Sequence, residues 1–274
     1  MTDMQDQSVG FLPEGRRHFG RFNLLGVWTL YKKEVLRFAN VWLQTIMAPV
    51  ITTLLFYTIF SLAFGSIRPS VNGVDYVRFL APGLIMMSVL QNSFANTSSS
   101  VLISKIQGNI VDALMPPLSA GELTFAYAMG GMTRGLAVAV ATAVPLSFLT
   151  NLTIENFAAL VFFAASGALM LSLIGVIGGI WADKFDHMAA VTNFVIMPLA
   201  FLSGTFYSIE RLPETFQAFS AFNPFFYTID GFRAGFIGQG DTSLATGVVV
   251  MSAINISLWA ICHRMFAVGW RLKP

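Results

Sequence analysis

The chain is 274 residues long, 55% hydrophobic and only 11% charged, with a mean hydropathy of +0.68. Soluble domains carry about 25% charged residues, so this composition cannot clothe a water-facing globule and implies lipid as the solvent for much of the surface. A net charge of +2 without a basic patch interleaved with aromatics argues against a nucleic-acid partner, and the single cysteine, Cys262, excludes an internal disulfide framework or a cysteine-built metal site.

Residues 1–22 are polar, with Asp3, Asp6, Glu14, Arg16, Arg17 and Arg21, and lack an apolar run of signal-peptide type. A disordered cytoplasmic lead-in is expected there. Residues 24–42, "LLGVWTLYKKEVLRFANVW", place Leu24, Trp28, Tyr31, Val35, Phe38 and Trp42 at steps of three and four. This predicts an amphipathic helix in the headgroup plane, with Trp28 at the interface and Lys32, Lys33 and Arg37 near anionic lipid. Such a helix either anchors the chain or works as a lever between the first span and a cytoplasmic element.

A helix needs roughly 20 apolar residues to cross a bilayer core. Six segments qualify, at 43–64, 79–103, 125–150, 157–181, 189–207 and 244–266. An even number puts both termini on one side. With both inside, the cytoplasmic cations are Arg16, Arg17, Arg21, Lys32, Lys33, Arg37, Lys105, Lys184, Arg264, Arg271 and Lys273, against Arg68, Arg78, Arg211 and Arg233 outside. The positive-inside rule therefore predicts cytoplasmic termini. Arg134, within the third span, is left out of the tally and is expected to snorkel toward the cytoplasmic headgroups.

The second span is polar in its later half. Ser88, Asn92, Asn96 and Ser100 recur every four residues and share a face, which either bonds to neighbouring helices or borders a substrate path. Gly131-x-x-x-Gly135 and Gly175-x-x-x-Gly179 fit close backbone approach between helices. The segment 104–122, "SKIQGNIVDALMPPLSAGE" with its flanks, is too polar to span and too apolar for a solvated linker. The stretch 208–238 is rich in phenylalanine and divided by Pro213 and Pro224, which predicts short re-entrant helices in the outer leaflet.

There is no G-x-x-x-x-G-K-[ST] loop, no H-E-x-x-H and no G-x-S-x-G. His18, His187 and His263 are scattered, and His187 with Asp183 and Asp186 reads as a solvated loop. Carboxylates sit almost wholly in loops, whereas ion-coupled carriers keep ionisable groups at the midplane. The chain reads as a transport pathway without an energy source.

Several motifs, in order, resemble ABC-2-type transporter membrane subunits: "PLAFLSGTFYSIERLP…FNPFFYTIDGFRAGF", the Ser104–Glu122 stretch and "APGLIMMSV" at 81–89. The resemblance is to the YadH-like branch, related to nodulation-factor and daunorubicin exporter permeases, and covers residues from about 23 onward. It implies an all-α membrane domain over 23–274, with six spans, an interfacial helix and re-entrant helices at 208–238. It further implies a homodimer, with two copies of a separate ATPase that binds ATP and Mg, and no cofactor on this chain. The loop 104–122 becomes the coupling helix, carried by Gln107, Asn109, Ile110, Asp112, Ala113, Leu114, Met115, Pro116 and Pro117. Its apolar face is read as Ile110, Leu114 and Met115, with Pro116–Pro117 as a stiff stop. Ser88, Asn92, Asn96, Ser100, Asn223, Pro224, Tyr227 and Arg233 are candidates for a substrate path or gate. An ion-coupled carrier and a non-transporting scaffold are the alternative readings.

Overall fold

The computed structural model describes residues 22–65, 70–71, 73–209 and 212–272. The expected lead-in, apart from Phe22, lies outside the described residues, as do Arg16, Arg17, His18, Arg21, Arg68, Arg211 and Lys273. The described part is all-α, with one short antiparallel hairpin pairing Ser70 with Asp75 and Val71 with Val74.

Ten helices follow in order: α1 (Leu24–Ala39), α2 (Leu43–Phe64), α3 (Tyr76–Ile106), α4 (Ile110–Leu114), α5 (Ala120–Thr150), α6 (Phe157–Trp181), α7 (Phe185–Phe201), α8 (Glu214–Ala221), α9 (Pro224–Ile237) and α10 (Leu244–Val268). Among the described residues, α2, α5, α6 and α10 are long and apolar enough to cross a membrane, and α7 is a shorter apolar helix. The six-segment expectation thus meets two departures. α3 has the length, but its asparagines and serines lower its hydropathy. The segment expected at 189–207 is helical only to Phe201, where the chain enters turns.

The departure of α3 has a packing cause. Every residue from Phe79 to Leu90 is buried, so this helix faces protein rather than lipid. It packs most extensively on α6 and α5. Close approach is possible because a side chain at Gly175 would meet the Phe94 carbonyl at 2.7 Å and the Thr97 hydroxyl, and one at Gly179 would meet Val101 at 2.8 Å. Gly131 and Gly135 of α5 are closed in the same way by Ser172 and Ser93. Both glycine pairs therefore work where α3, α5 and α6 meet. Thr97 Oγ1 donates to the Ser172 carbonyl (2.8 Å), and Ser172 Oγ donates to the Ala128 carbonyl (2.7 Å), joining the three backbones.

α2 and α10 lie outside this core and expose apolar side chains along their length, including Ile51, Leu55 and Leu62 on α2 and Val249, Ile256 and Val268 on α10. α2 and α7 each contain a π-helical turn, at Leu43–Met47 and Thr192–Ile196. In each, a proline two residues beyond the turn (Pro49, Pro198) has no N–H to return to the preceding turn, and the helix widens ahead of it.

Candidate coupling and substrate sites

The segment between α3 and α5 is a tethered knuckle. Gly108, with a φ of 75°, turns the chain out of α3, and α4 makes little more than one turn. Ile110 and Ala113 point inward, and Ile110 packs in a core cluster with Leu30, Val101 and Leu123. Leu114 is half-buried against that cluster. The outward set is Ile106, Gln107, Asn109, Val111, Asp112, Met115, Pro116 and Pro117. Of the apolar face read from sequence, Met115 does face out and Leu114 is half-buried, whereas Ile110 is a core residue and Val111 stands outside in its place. A five-residue helix is too short for periodicity to assign its faces, so nothing in the sequence singled out Val111.

Two ties hold the knuckle. Ser119 caps α5 with a reciprocal box: its N–H donates to Glu122 Oε2 (2.6 Å), and its hydroxyl accepts from the Glu122 N–H (3.3 Å). The other carboxylate oxygen of Glu122 accepts from the Asn23 N–H at 2.5 Å, and Asn23 Nδ2 donates to the Pro117 carbonyl at 3.3 Å. Asn23 is itself the N-cap of α1, accepting from the Gly26 N–H (3.0 Å). One asparagine therefore links α1, the Pro116–Pro117 turn and the start of α5. At the same end, Lys105 Nζ donates to the carbonyls of Ile180 (2.6 Å) and Ala182 (2.8 Å), clamping the last turn of α3 to that of α6.

α1 differs from the helix expected. Trp28, Lys32 and Lys33 are exposed, and so are Leu24, Leu25 and Leu36. Its buried face is Leu30, Glu34 and Phe38. Arg37 turns inward instead of toward lipid headgroups, because a partner carboxylate lies one turn back: Arg37 Nε is 3.5 Å from Glu34 Oε2. Its Nη2 donates to the Asn96 carbonyl (2.5 Å) and Asn96 Oδ1 (3.0 Å), and its Nη1 to Ser99 Oγ (3.2 Å). Ser100 Oγ donates to Glu34 Oε1 at 2.7 Å.

The four-residue stripe of α3 is thus largely occupied by acidic and basic side chains from its neighbours. Ser100 and Asn96 serve α1. Asn92 Oδ1 accepts from Arg134 Nη2 of α5 at 2.9 Å, while Asn92 Nδ2 donates to the Ser88 carbonyl at 2.9 Å. Arg134 does not snorkel away from the bundle; its guanidinium finds its acceptor on α3. Glu34 and Arg134 are the residues that sequence reasoning underused, although both stand four or fewer positions from a lysine, arginine or glycine that drew attention. Of the stripe, Ser88 and Asn92 border an open groove beside α2, whereas Asn96 and Ser100 are closed off by α1.

The remaining path candidates cluster at the opposite end, around the hairpin and α8–α9. Asn223 caps α9 by accepting from the Phe225 N–H (3.0 Å) and donates to the Leu199 carbonyl (2.8 Å). Pro224 supplies the first residue of α9. Tyr227 Oη donates to the Ala221 carbonyl at 2.9 Å. Arg233, counted among outward cations, is 3% exposed; its Nη2 donates to the Gly204 carbonyl (2.7 Å), and its guanidinium carbon lies 3.7 Å over the Phe79 ring. Asp230 accepts from the N–H groups of Asp241 (2.7 Å) and Thr242 (2.9 Å), and Asp241 in turn accepts from Ser208 Oγ (3.0 Å). These contacts staple the turns around α9 to one another.

The arrangement is that of a polytopic helical permease, a non-catalytic transport subunit whose buried polar groups bond between helices and whose knuckle at 104–122 is partly exposed. Comparison with known proteins agrees with that class. Residues 26–237 match the family of ABC-2 type transporters, and the chain belongs to that family. It is 35% identical over 245 residues to the inner membrane transport permease YadH of Escherichia coli (strain K12), covering 89% of this chain and 96% of that protein. It is 26% identical over 240 residues to nodulation protein J of Rhizobium leguminosarum bv. viciae (80% and 84%) and 23% identical over 225 residues to nodulation protein J of Rhizobium meliloti (80% and 82%). The chain is thus a multi-pass inner-membrane permease of YadH-like type, and its family implies association with an ABC ATPase subunit.

Proposed function

We propose that this chain is the membrane half of an ATP-driven exporter, working as a homodimer with two copies of a separate ATPase chain. α3 and α7 complete a six-span topology, both termini are cytoplasmic, and α8–α9 dip into the outer leaflet. ATP and Mg are bound and turned over on the partner. The cargo is an amphiphile, such as a lipid-like, drug-like or saccharide-bearing molecule, passing between protomers beside Ser88 and Asn92.

The observation that carries this reading is the knuckle at 104–122. Val111, Asp112, Met115 and Pro116 are free to meet a partner, while Ile110, Asn23 and Glu122 tie the same segment to α1 and α5. A push on a short, tethered segment moves helices, whereas a push on a slack linker is lost in the linker. The sequence carries no phosphate loop, which fits an ATPase held on a separate chain.

Reconstitution tests it. The chain together with its ATPase in liposomes is expected to move a labelled amphiphile only when ATP is supplied, and an imposed proton or sodium gradient is expected to drive nothing in the chain alone. Gradient-driven transport by the chain without an ATPase would replace this reading with an ion-coupled carrier.

A further inference from the structure

We infer that the groove between the last turns of α6 and α10, at the end of the bundle that carries α4, binds an anionic phospholipid. Such a site needs only the membrane class of the chain and no ATPase.

α6 and α10 run parallel. Asn255 Nδ2 donates to Ser166 Oγ (2.8 Å) midway along them, and Arg271, just past α10, donates from Nη1 to the Trp181 carbonyl (2.8 Å) at their ends. Between their last turns lies a groove of about 430 Å³, within the size range of small-molecule sites. Ile177, Ile261, Met265 and Val268 give it apolar walls, with Trp181 at the end of α6 and Trp270 just beyond α10. Arg264 is the one ionisable side chain among the residues that line it.

The polar part of this lining is a set of donors without acceptors. Arg264 is exposed and makes no hydrogen bond or ion pair among the described residues, and the indole N–H groups of Trp181 and Trp270 likewise have no acceptor there. Guanidinium and indole nitrogens only donate, and no carboxylate, amide or hydroxyl side chain lines the groove. The complement is a group that accepts, carries negative charge and is joined to an apolar tail. A phosphodiester on acyl chains has both parts. A sugar headgroup brings hydroxyl donors, and a zwitterionic headgroup an ammonium, that no side chain in the lining accepts.

Neighbouring charge leaves the site positive. The Asp183 carboxylate, two residues beyond Trp181, lies 3.4 Å from Lys105 Nζ and 3.7 Å from Arg271 Nη1, so two cations answer it. The carbonyls at the end of α6, the negative pole of that helix, already accept from the same two side chains, through Ile180, Ala182 and Trp181. The turn after α10 fixes the other wall. Gly269 (φ 69°) ends the helix, the Trp270 N–H donates to the Met265 carbonyl at 3.1 Å, and Arg271 takes a left-handed φ of 53°. A residue other than glycine holds that conformation where its contacts demand it. Here those contacts are the Trp181 carbonyl and the neighbouring Leu272, which is 3% exposed in the cluster of Ile180, Cys262 and Phe266. Trp270 is thereby held on the same groove as Trp181.

The test uses the full chain in nanodiscs without any ATPase, so its failure and the failure of ATP coupling are separable. Photoactivatable phosphatidylglycerol and photoactivatable phosphatidylcholine are compared, with labelled peptides read by mass spectrometry. Phosphatidylglycerol is expected to label the peptides that hold 177–181 and 261–270 several-fold above phosphatidylcholine. It should also label them above the exposed Phe148, at the far end of α5. Labelling should fall about tenfold in Arg264→Gln, which removes the charged donor, and only in part in Arg264→Lys, which keeps the charge. Ile177→Trp, which fills the groove and keeps all three donors, should lose labelling as well, with an unchanged thermal unfolding midpoint confirming the fold. Equal labelling by the two lipids, or undiminished labelling of Arg264→Gln, would overturn the assignment. So would disulfide pairing of Val268→Cys between two copies, which would make the groove a contact between protomers.

Discussion

Glu34→Ala is expected to release α1 from the bundle and to abolish transport by the proposed exporter complex. Glu34 is 1% exposed and holds both Arg37 and Ser100. Its removal leaves a half-buried guanidinium without its carboxylate and the Ser100 hydroxyl without its acceptor. Breaking one partner of a buried pair costs about 3–5 kcal/mol, and Arg37 lies partly open at the edge, which favours the lower end. The loss falls on one helix, so the expected signature is local. Limited proteolysis should cut within α1 while α3, α5 and α6 stay protected, and the detergent-solubilised protein should remain monodisperse. Glu34→Gln keeps an acceptor for Ser100 and should retain part of the function. An alanine variant with α1 still protected would contradict the claim that the Glu34 cluster fastens it.

Gly175→Leu is the second large effect, and its signature is global. The Gly175 Cα faces the Phe94 carbonyl and the Ser98 N–H, backbone groups that have no rotamer to give way. Overpacking of this kind costs about 1–3 kcal/mol where side chains can shift, and more where the obstacle is backbone. Because α3 and α6 form the most extensive contact in the molecule, pushing them apart also strains the Thr97–Ser172 bond. The variant should fail to accumulate in membranes or should elute as aggregate. Gly121→Ala, whose added methyl meets only the His263 ring at 3.6 Å, is the matched control and should behave as the parent chain. Normal yield and a normal melting profile for Gly175→Leu would refute the tight α3–α6 seam.

Much of this architecture was legible from residue patterns. The four-residue stripe on α3, the two glycine pairs and the prolines dividing 208–238 each describe one helix and its immediate geometry, which local sequence encodes. What was illegible depends on partners far along the chain. Periodicity separates apolar from polar, but in a membrane both the lipid-facing and the protein-facing sides of a helix are apolar. Leu24, on the apolar stripe read from sequence, is 76% exposed, whereas Leu30, off that stripe, is 7% exposed. Arg37 reads as a headgroup cation until Asn96, 59 positions away, is seen beside it. Arg134 and Arg233 were placed by the general habit of cations to seek headgroups or water. Each has instead an acceptor inside the protein, Asn92 and the Gly204 carbonyl. The inward turn of Ile110 likewise follows from the position of α1, which the loop sequence does not contain.

These corrections sharpen the mechanical picture. The knuckle, α1 and the start of α5 share Asn23 and Glu122, and α1 reaches α3 through Glu34 and Arg37. The Pro117 end of the knuckle is therefore linked by hydrogen bonds through α1 to α3, the helix that borders the open groove. In the proposed exporter, these are the contacts whose loss should uncouple hydrolysis from transport.

Cysteine cross-linking at the knuckle tests the central claim most directly. Single cysteines at Val111, Met115, Ile110 and Ala113 are placed in the reconstituted complex with the ATPase subunit and treated with a short thiol–amine linker. The account predicts ATPase cross-links from positions 111 and 115, which face outward, and none from 110 and 113, which face α1 and the core. Absence of a cross-link from 111 and 115 in a complex that still hydrolyses ATP and transports would contradict it.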